Sequence, residues 1–215
     1  HGSAHWTGRL ITGDEKVKTG IYSTLTTLLV FLSASTTNGN TMQYNDIIDS
    51  RTSGTLNSNY QIAWRLVTDG VMGGVSQGDL QPDRIRDRDC LRLQGAVSTA
   101  NNGGFVQMAL DLGASAPFDA SRFQGLLLEV SGNGEQYNLH LRTSDLWLPW
   151  QSYRYSFTAE PEWRQIRIPF SKLDAHRTNT RFDPKNLSRV GLVAIGREFQ
   201  ADLCLGDIRF YSSAE

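Results

Sequence analysis

The 215-residue sequence is poor in features that would name a chemistry. It has only two cysteines, Cys90 and Cys204, too few for a disulfide framework or a cysteine-built zinc site. Both fall in apolar runs, DCLRL and ADLCLG, where an unpaired thiol behaves as a small buried hydrophobe. The expectation is two buried free thiols, with a single bridge if the chain is exported. An excess of one charge is also lacking: 21 basic residues face 22 acidic ones, for a formal net charge of -1. No global field therefore recruits nucleic acid or an anionic membrane, and electrostatic binding has to be local. Internal repeats and low-complexity tracts are absent. No long stretch of helical period occurs between Ile62 and Tyr211.

The beginning of the chain, residues 1–41, differs from residues 42–215, which form a single expected domain. HGSAHWTG resembles a purification-tag scar and is set aside from fold reasoning. After Lys16 and Lys18 comes an apolar stretch from Ile21 to Leu32, then the small residues Ser33, Ala34 and Ser35. That is signal-peptide grammar, opposed by Asp14 and Glu15 just upstream. The segment reads equally as an export signal, an anchor or a non-native leader. Its strongly apolar part is well short of the roughly 20 residues needed to cross a bilayer, so no integral span is expected. A cytoplasmic location is favoured, and an exported one is expected instead if residues 17–35 are a true signal.

One catalytic motif has to be weighed. GVSQG, Gly74 to Gly78, fits the G-x-S-x-G pattern that places a serine nucleophile on a strained strand-to-helix turn. The chain then runs DLQPDRIRDRD, which has no apolar stripe at helical spacing. A base is also hard to find. Apart from His1 and His5, the histidines are His140, in a strand-like run, and His176, in a polar one. Ser76 is therefore expected not to be a nucleophile, and the hydrolase reading ranks last. The phosphate-loop and dinucleotide-binding patterns are missing as well.

The rest of the text is short, turn-punctuated apolar runs, which predicts an all-β chain of about ten strands in two antiparallel sheets. The candidates are IAWRLVTD, GVSQGDL, DCLRLQGAV, GFVQMALDL, QGLLLEVSG, QYNLHLRTS, QSYRYSFTA, EWRQIRIPF, RVGLVAIG and DLCLGDIRF. Tyr137, Leu139 and Leu141 alternate with Asn138, His140 and Arg142, as on a sheet with one dry and one wet face. RVGLVAIG is apolar almost throughout and predicts a central strand. Helix-like pieces are limited to FSKLDAH and QYNDIIDS.

Two glycine motifs carry a resemblance. WRLVTDGVMGGVSQGDL, then LQGAVSTANNGGFVQMALDL, followed by FQGLLLEVSGNGEQYNLHLRTS, YRYSFTAEPEWRQIRIPFSKL, LSRVGLVAIG and DIRFY, resemble the complex I intermediate-associated protein 30 family in its order, from Trp64 to about Tyr211. The resemblance implies a galactose-binding-like jelly-roll sandwich. It also implies a protein-binding assembly or stability factor, since eukaryotic members serve respiratory complex I in mitochondria, whereas bacterial members have no settled activity. Gly70, Met72, Gly73 and Gly74 then belong to a tight bend, with Asp69 and Ser76 bonding nearby amides. In NNGGF, Asn102-Gly103 is a hairpin signal, Gly104 continues the turn, and Phe105 is expected to plug the core. The alternative is that the two loops shape a recognition site, with Asp69, Asn101 and Asn102 as polar contacts.

A second candidate site lies in LHLRTSDLWLPWQSYRYSF. With Leu139 and Leu141 inward, His140 and Arg142 point outward; Arg154 and Arg167 occupy comparable places on neighbouring runs. Such a ladder needs Glu129 and Glu135, or an anionic partner, to neutralise it. Trp147, Pro149 and Trp150 make an aromatic loop of the kind that anchors protein partners or stacks on sugars, although core packing is expected to claim at least one tryptophan. The expected partner is thus another protein, with a glycan held by His140, Arg142, Trp147 and Trp150 as the alternative, and no nucleic acid. No cofactor is expected and no metal cluster is spelled out. A structural calcium would have to draw on Asp207 with Asp46 or Asp49.

Overall fold

The computed structural model describes residues 47–113 and 116–212, together with Gly2 and Gly13. The expectations for residues 17–35 and for Asp46 lie outside these described residues. The strands are β1 (Ile47–Asp49), β2 (Arg65–Thr68), β3 (Gln77–Ile85), β4 (Arg88–Val97), β5 (Phe105–Asp111) and β6 (Gly125–Gly132). They continue as β7 (Glu135–Thr143), β8 (Ser152–Ala159), β9 (Arg164–Pro169), β10 (Asp174–His176), β11 (Leu187–Ile195) and β12 (Phe199–Tyr211). Two six-stranded sheets result. The first runs β3-β4-β12-β6-β9, with β1 also paired to β12; the second runs β10-β8-β7-β11-β5-β2. The chain is the expected all-β jelly-roll sandwich, and RVGLVAIG is central, between β7 and β5.

Alternation in the sequence becomes the core. Leu91 and Leu93, Val106, Met108 and Leu110, and Tyr137, Leu139 and Leu141 are all buried between the sheets. Fully burying a side chain of this size is worth about 1.5–3 kcal/mol, and strands of both sheets contribute. Strand β12 shows how the period is preserved: Leu203 and Leu205 point inward, then the register shifts and Ile208 and Phe210 do. A bulge of this kind adds a residue so that the apolar phase can change parity without leaving the core.

The two helix-like pieces are not helices. Of QYNDIIDS, the part within the described residues forms strand β1 against β12. In FSKLDAH only Phe170–Lys172 makes a single 3-10 turn, and Asp174–His176 pairs with β8 as an edge strand. A seven-residue piece gains too few internal hydrogen bonds to hold a helix alone, and the sheet edge offers its backbone ready partners.

The thiols are not free: Cys90 and Cys204 form a disulfide, with Cα atoms 5.5 Å apart. Their leucine neighbours Leu91, Leu93, Leu203 and Leu205 face the core, so both cysteines project from the outer side of the paired strands β4 and β12. They are nonetheless buried. The Trp163 indole lies on that outer side against Gly206, donates to the Ile85 carbonyl at 3.2 Å, and has the Arg88 guanidinium over its ring.

Candidate functional site

Both glycine motifs are crossovers between the sheets at one end of the sandwich. Residues after β2 carry the chain from the second sheet to β3 in the first, and residues after β4 return it to β5 in the second. NNGG is therefore not a hairpin turn. Asn101 and Asn102 both take left-handed backbone, with φ of 56° and 58°, and the strands on either side belong to different layers. Phe105 is only partly buried, and Val106 takes the core position instead. The turn chemistry was legible, but the identity of the strands it joins was not.

Asp69 holds the two crossovers together. Its fully buried carboxylate accepts from the Ser76 amide at 2.9 Å and the Ser76 hydroxyl at 2.5 Å. Across the gap it accepts from the amides of Gly104 at 2.5 Å and Phe105 at 3.3 Å. Burial works to raise this carboxyl, but the bonds from Ser76, Gly104 and Phe105 outweigh it and hold the group below its ordinary value. A β-carbon on Gly74 or Gly103 would overlap the Asp69 carboxylate, and Gly73 has φ of 86°. These glycines serve the backbone and leave room for the carboxylate. Asp69 is sealed from any ligand, while Asn101 and Asn102 are exposed. Ser76 is buried as well; its hydroxyl oxygen also accepts from the Ser98 amide at 3.0 Å, and no histidine is among its hydrogen-bond partners.

The outer face of the second sheet has a different character. Register brings Ala109, Gly191, His140 and Arg154 side by side across β5, β11, β7 and β8, with Asp174 of β10 beyond Arg154. One step along, Arg189 lies between Asp111 and Arg142 and pairs with the Asp111 carboxylate, which Arg65 also reaches at 2.9 Å. A depression of about 470 Å³ opens there, lined in part by Asp111, Arg142, Leu146 and Arg189. Arg154 donates through Nε to the Ser152 hydroxyl at 2.9 Å and forms no ion pair among the described residues. His140 Nε2 is buried without a hydrogen-bond partner; burial, then Arg154 and His176, push this imidazole down to about 3. His176 is lowered by burial and by Arg154 and Arg177, so these four groups sense one another.

The arginine ladder does not exist as expected. Arg142 and Arg154 share this face, but Arg167 lies on β9 in the first sheet and stacks on Tyr211, 3.7 Å from the ring centroid. Alternation within a strand shows which residues share a side of that strand, not which sheet the strand joins. Glu129 pairs with Arg88 and Glu135 with Arg197, so neither neutralises Arg154. Arg142 is not a free surface charge either. Its guanidinium donates to the carbonyls of Leu148 at 2.9 Å, Pro149 at 3.0 Å, Gln151 at 2.5 Å and Leu146 at 3.3 Å. It thereby fixes the loop between β7 and β8.

That loop turns its aromatic side chains outward. Leu146 is buried beneath it, while Trp147 is 92% exposed, Trp150 47% and Leu148 42%. Neither tryptophan belongs to the core, because buried Leu146 anchors this segment instead. Gln151 ties the loop to the neighbouring strand: its side chain accepts from the Leu148 amide at 3.0 Å and donates to the Arg177 carbonyl at 3.1 Å. A second exposed apolar group was missed from sequence. Val71 is 74% exposed, Met72 58%, and Val75 also faces solvent in the first crossover. The only available signal was three apolar residues inside a glycine-rich bend, where packing positions are scarce.

Two of the calcium candidates have side-chain partners of their own. Asp49 accepts from Arg51 at 2.6 Å and from the Trp64 indole at 2.8 Å, while Asp207 pairs with Arg209 at 2.8 Å. Among the described residues no group of three His, Cys, Asp or Glu side chains is placed to hold a metal. None of their helices is long and apolar enough to cross a membrane.

A family model described as Complex I intermediate-associated protein 30 matches residues 54–205. No curated protein matches the chain. Among solved structures, the family 11 carbohydrate-binding module of the Clostridium thermocellum cellulase Lic26A-Cel5E superposes with a TM-score of 0.62. It is 13% identical, and the match covers 78% of this chain and 94% of that one. The family 11 module from the same organism in complex with a β-1,3-1,4-mixed-linked tetrasaccharide gives 0.61 at 13% identity, covering 77% and 94%. The family 30 module of the Clostridium thermocellum cellulase Cel9D-Cel44B gives 0.52 at 16%, covering 72% and 94%. At these identities the likeness establishes the fold alone.

Proposed function

The chain belongs to the complex I intermediate-associated protein 30 family, and on that premise we propose that it is a non-catalytic binding domain that docks another protein, as an assembly or stability factor. The observation that carries this reading is the loop between β7 and β8. Four carbonyls of the loop are held by one guanidinium while Trp147, Leu148 and Trp150 stand in solvent. Exposed aromatic side chains on a pre-set backbone lose little freedom on binding, which is what an interface anchor requires. The Cys90–Cys204 bridge supports an oxidising compartment over the cytosol.

A glycan is the second reading, favoured by the likeness to a module solved with a mixed-linked tetrasaccharide. The sheet face argues against it. The outward positions of β7, β8 and β11 hold residues such as Asn138, Arg154, Ser156, Arg189 and Val193, with no phenylalanine, tyrosine or tryptophan among them, and the outward aromatic of neighbouring β5, Phe105, is half-buried at the strand's end. Crosslinking from a residue introduced at position 148, with mass spectrometry of the products, separates the two readings. A defined protein adduct that Trp147→Ala abolishes supports the first. Calorimetric binding of mixed-linked β-glucan that depends on Trp147, with no protein adduct, overturns it.

A further inference from the structure

A cationic group with no carboxylate partner adjoins the aromatic loop. Arg154 on β8 faces His140 on β7 and is followed across β10 by Asp174 in register, yet Arg154 and Asp174 do not form an ion pair. His176 lies in register with Ser152, whose hydroxyl oxygen accepts a hydrogen bond from Arg154 Nε–H. Arg177 is exposed and comes directly after His176. Among the nearby acids, Asp111 is committed to Arg65 and Arg189, Asp145 to the Asn186 amide and Asp183 to the Lys185 backbone, while Asp174 shares the face with Arg154 but is exposed and does not close onto it. A partly buried charge without a counter-ion opposes folding, because the Arg154 guanidinium has given up water and gained only the Ser152 hydroxyl in return. A fold that needed only stability would close a carboxylate onto this guanidinium.

The geometry points to a docking site in which Arg154, Arg177 and His176 receive carboxylates from an acidic segment of a partner protein, with Trp147 and Trp150 taking an apolar residue of the same segment. This rests on the protein-binding reading above and names the chemistry of the partner. Charge complementarity selects the occupant, and Gln151 makes the site one surface by bonding both Leu148 in the aromatic loop and Arg177 at the end of β10. Pairing in a partly desolvated place is stronger than at an open surface. His140, held neutral beneath the cluster by burial and by Arg154 and His176, contributes no charge of its own.

The test is fluorescence titration of the full chain with a synthetic peptide of glutamates flanking a leucine, alongside its glutamine counterpart and oligogalacturonate. The glutamate peptide is expected to bind. Arg154→Gln and Arg177→Gln should each weaken it roughly tenfold, and added salt should weaken it further. Arg177 is exposed, so its variant reports binding even if Arg154→Gln disturbs the fold. Absence of peptide binding, equal binding of the glutamine peptide, unchanged affinity in Arg177→Gln, or preference for oligogalacturonate would each overturn the proposal. A partner adduct lost in Trp147→Ala but intact in both arginine variants would remove the acidic segment and leave the protein-binding reading standing.

Discussion

Replacing Asp69 by asparagine probes the joint between the two crossovers at nearly constant shape. The carboxylate receives two donors from Ser76 and two from the Gly104–Phe105 backbone. An asparagine retains one oxygen and turns the other position into an NH2 donor. If the oxygen occupies the crowded side, near Gly104 and the Ser76 hydroxyl, the NH2 confronts the Ser76 amide; the opposite flip confronts the Gly104 amide. Either way a buried donor meets a donor. Hydrogen bonds to a charged group contribute about 1.5–3 kcal/mol each, and an unsatisfied buried donor costs about 1–3 kcal/mol. Asp69→Asn should therefore lose about 3 kcal/mol, and Asp69→Ala, which abandons all four donors and leaves a void, about 5 kcal/mol. Against a total of about 5–15 kcal/mol for a domain, the alanine variant approaches unfolding. The effect has a sign in pH as well. The folded-state carboxyl lies below its ordinary value, so its contribution is complete above the unfolded-state value and is lost as pH falls through the folded one. Asp83, Asp111 and Asp119 are lowered too, so the diagnostic quantity is the wild-type minus Asp69→Asn difference. Urea denaturation should show that difference at neutral pH and its decline as carboxylates protonate. An asparagine variant within about 0.5 kcal/mol of wild type at neutral pH, the range of ordinary surface changes, would refute the reasoning.

Gly103→Ala places a methyl group against the Asp69 carboxylate and should cost about 1–3 kcal/mol; combined with Asp69→Gly it should cost less than the sum of the two single changes, measured as a double-mutant cycle. Arg142→Ala releases four loop carbonyls and should both lower the melting temperature and raise amide exchange across residues 146–151; unchanged exchange would show that the loop holds itself. Reduction of Cys90–Cys204, which closes a separation of 114 residues, should destabilise the fold by about 2–4 kcal/mol, seen as a lower urea midpoint in reductant that Cys90→Ala/Cys204→Ala reproduces without it. Ser76, buried against a carboxylate, should remain unlabelled by a fluorophosphonate probe, and a covalent adduct at Ser76 would reopen the hydrolase reading.

Period-two alternation is a local property. It depends only on neighbouring residues pointing to opposite sides, so the strand runs, the buried face of Tyr137, Leu139 and Leu141, and the central place of RVGLVAIG were all legible from the residues alone. The glycine bends were legible for the same reason, since positive φ at Gly73 is a demand of one residue's own backbone. Alternation does not reveal which strand lies next to which. Arg142, Arg154 and Arg167 look alike in sequence, yet one clamps four carbonyls, one lacks an acid partner, and one stacks on Tyr211 in the other sheet. Likewise, Cys90 and Cys204 read as two buried hydrophobes until β4 and β12 become neighbours. Asp69 finds half of its donors 35 and 36 residues away, and no local rule spans that distance. Such partnerships arise from the closure of two sheets around one core, and they decided which charges are spent inside the fold and which remain without an ion pair at its surface.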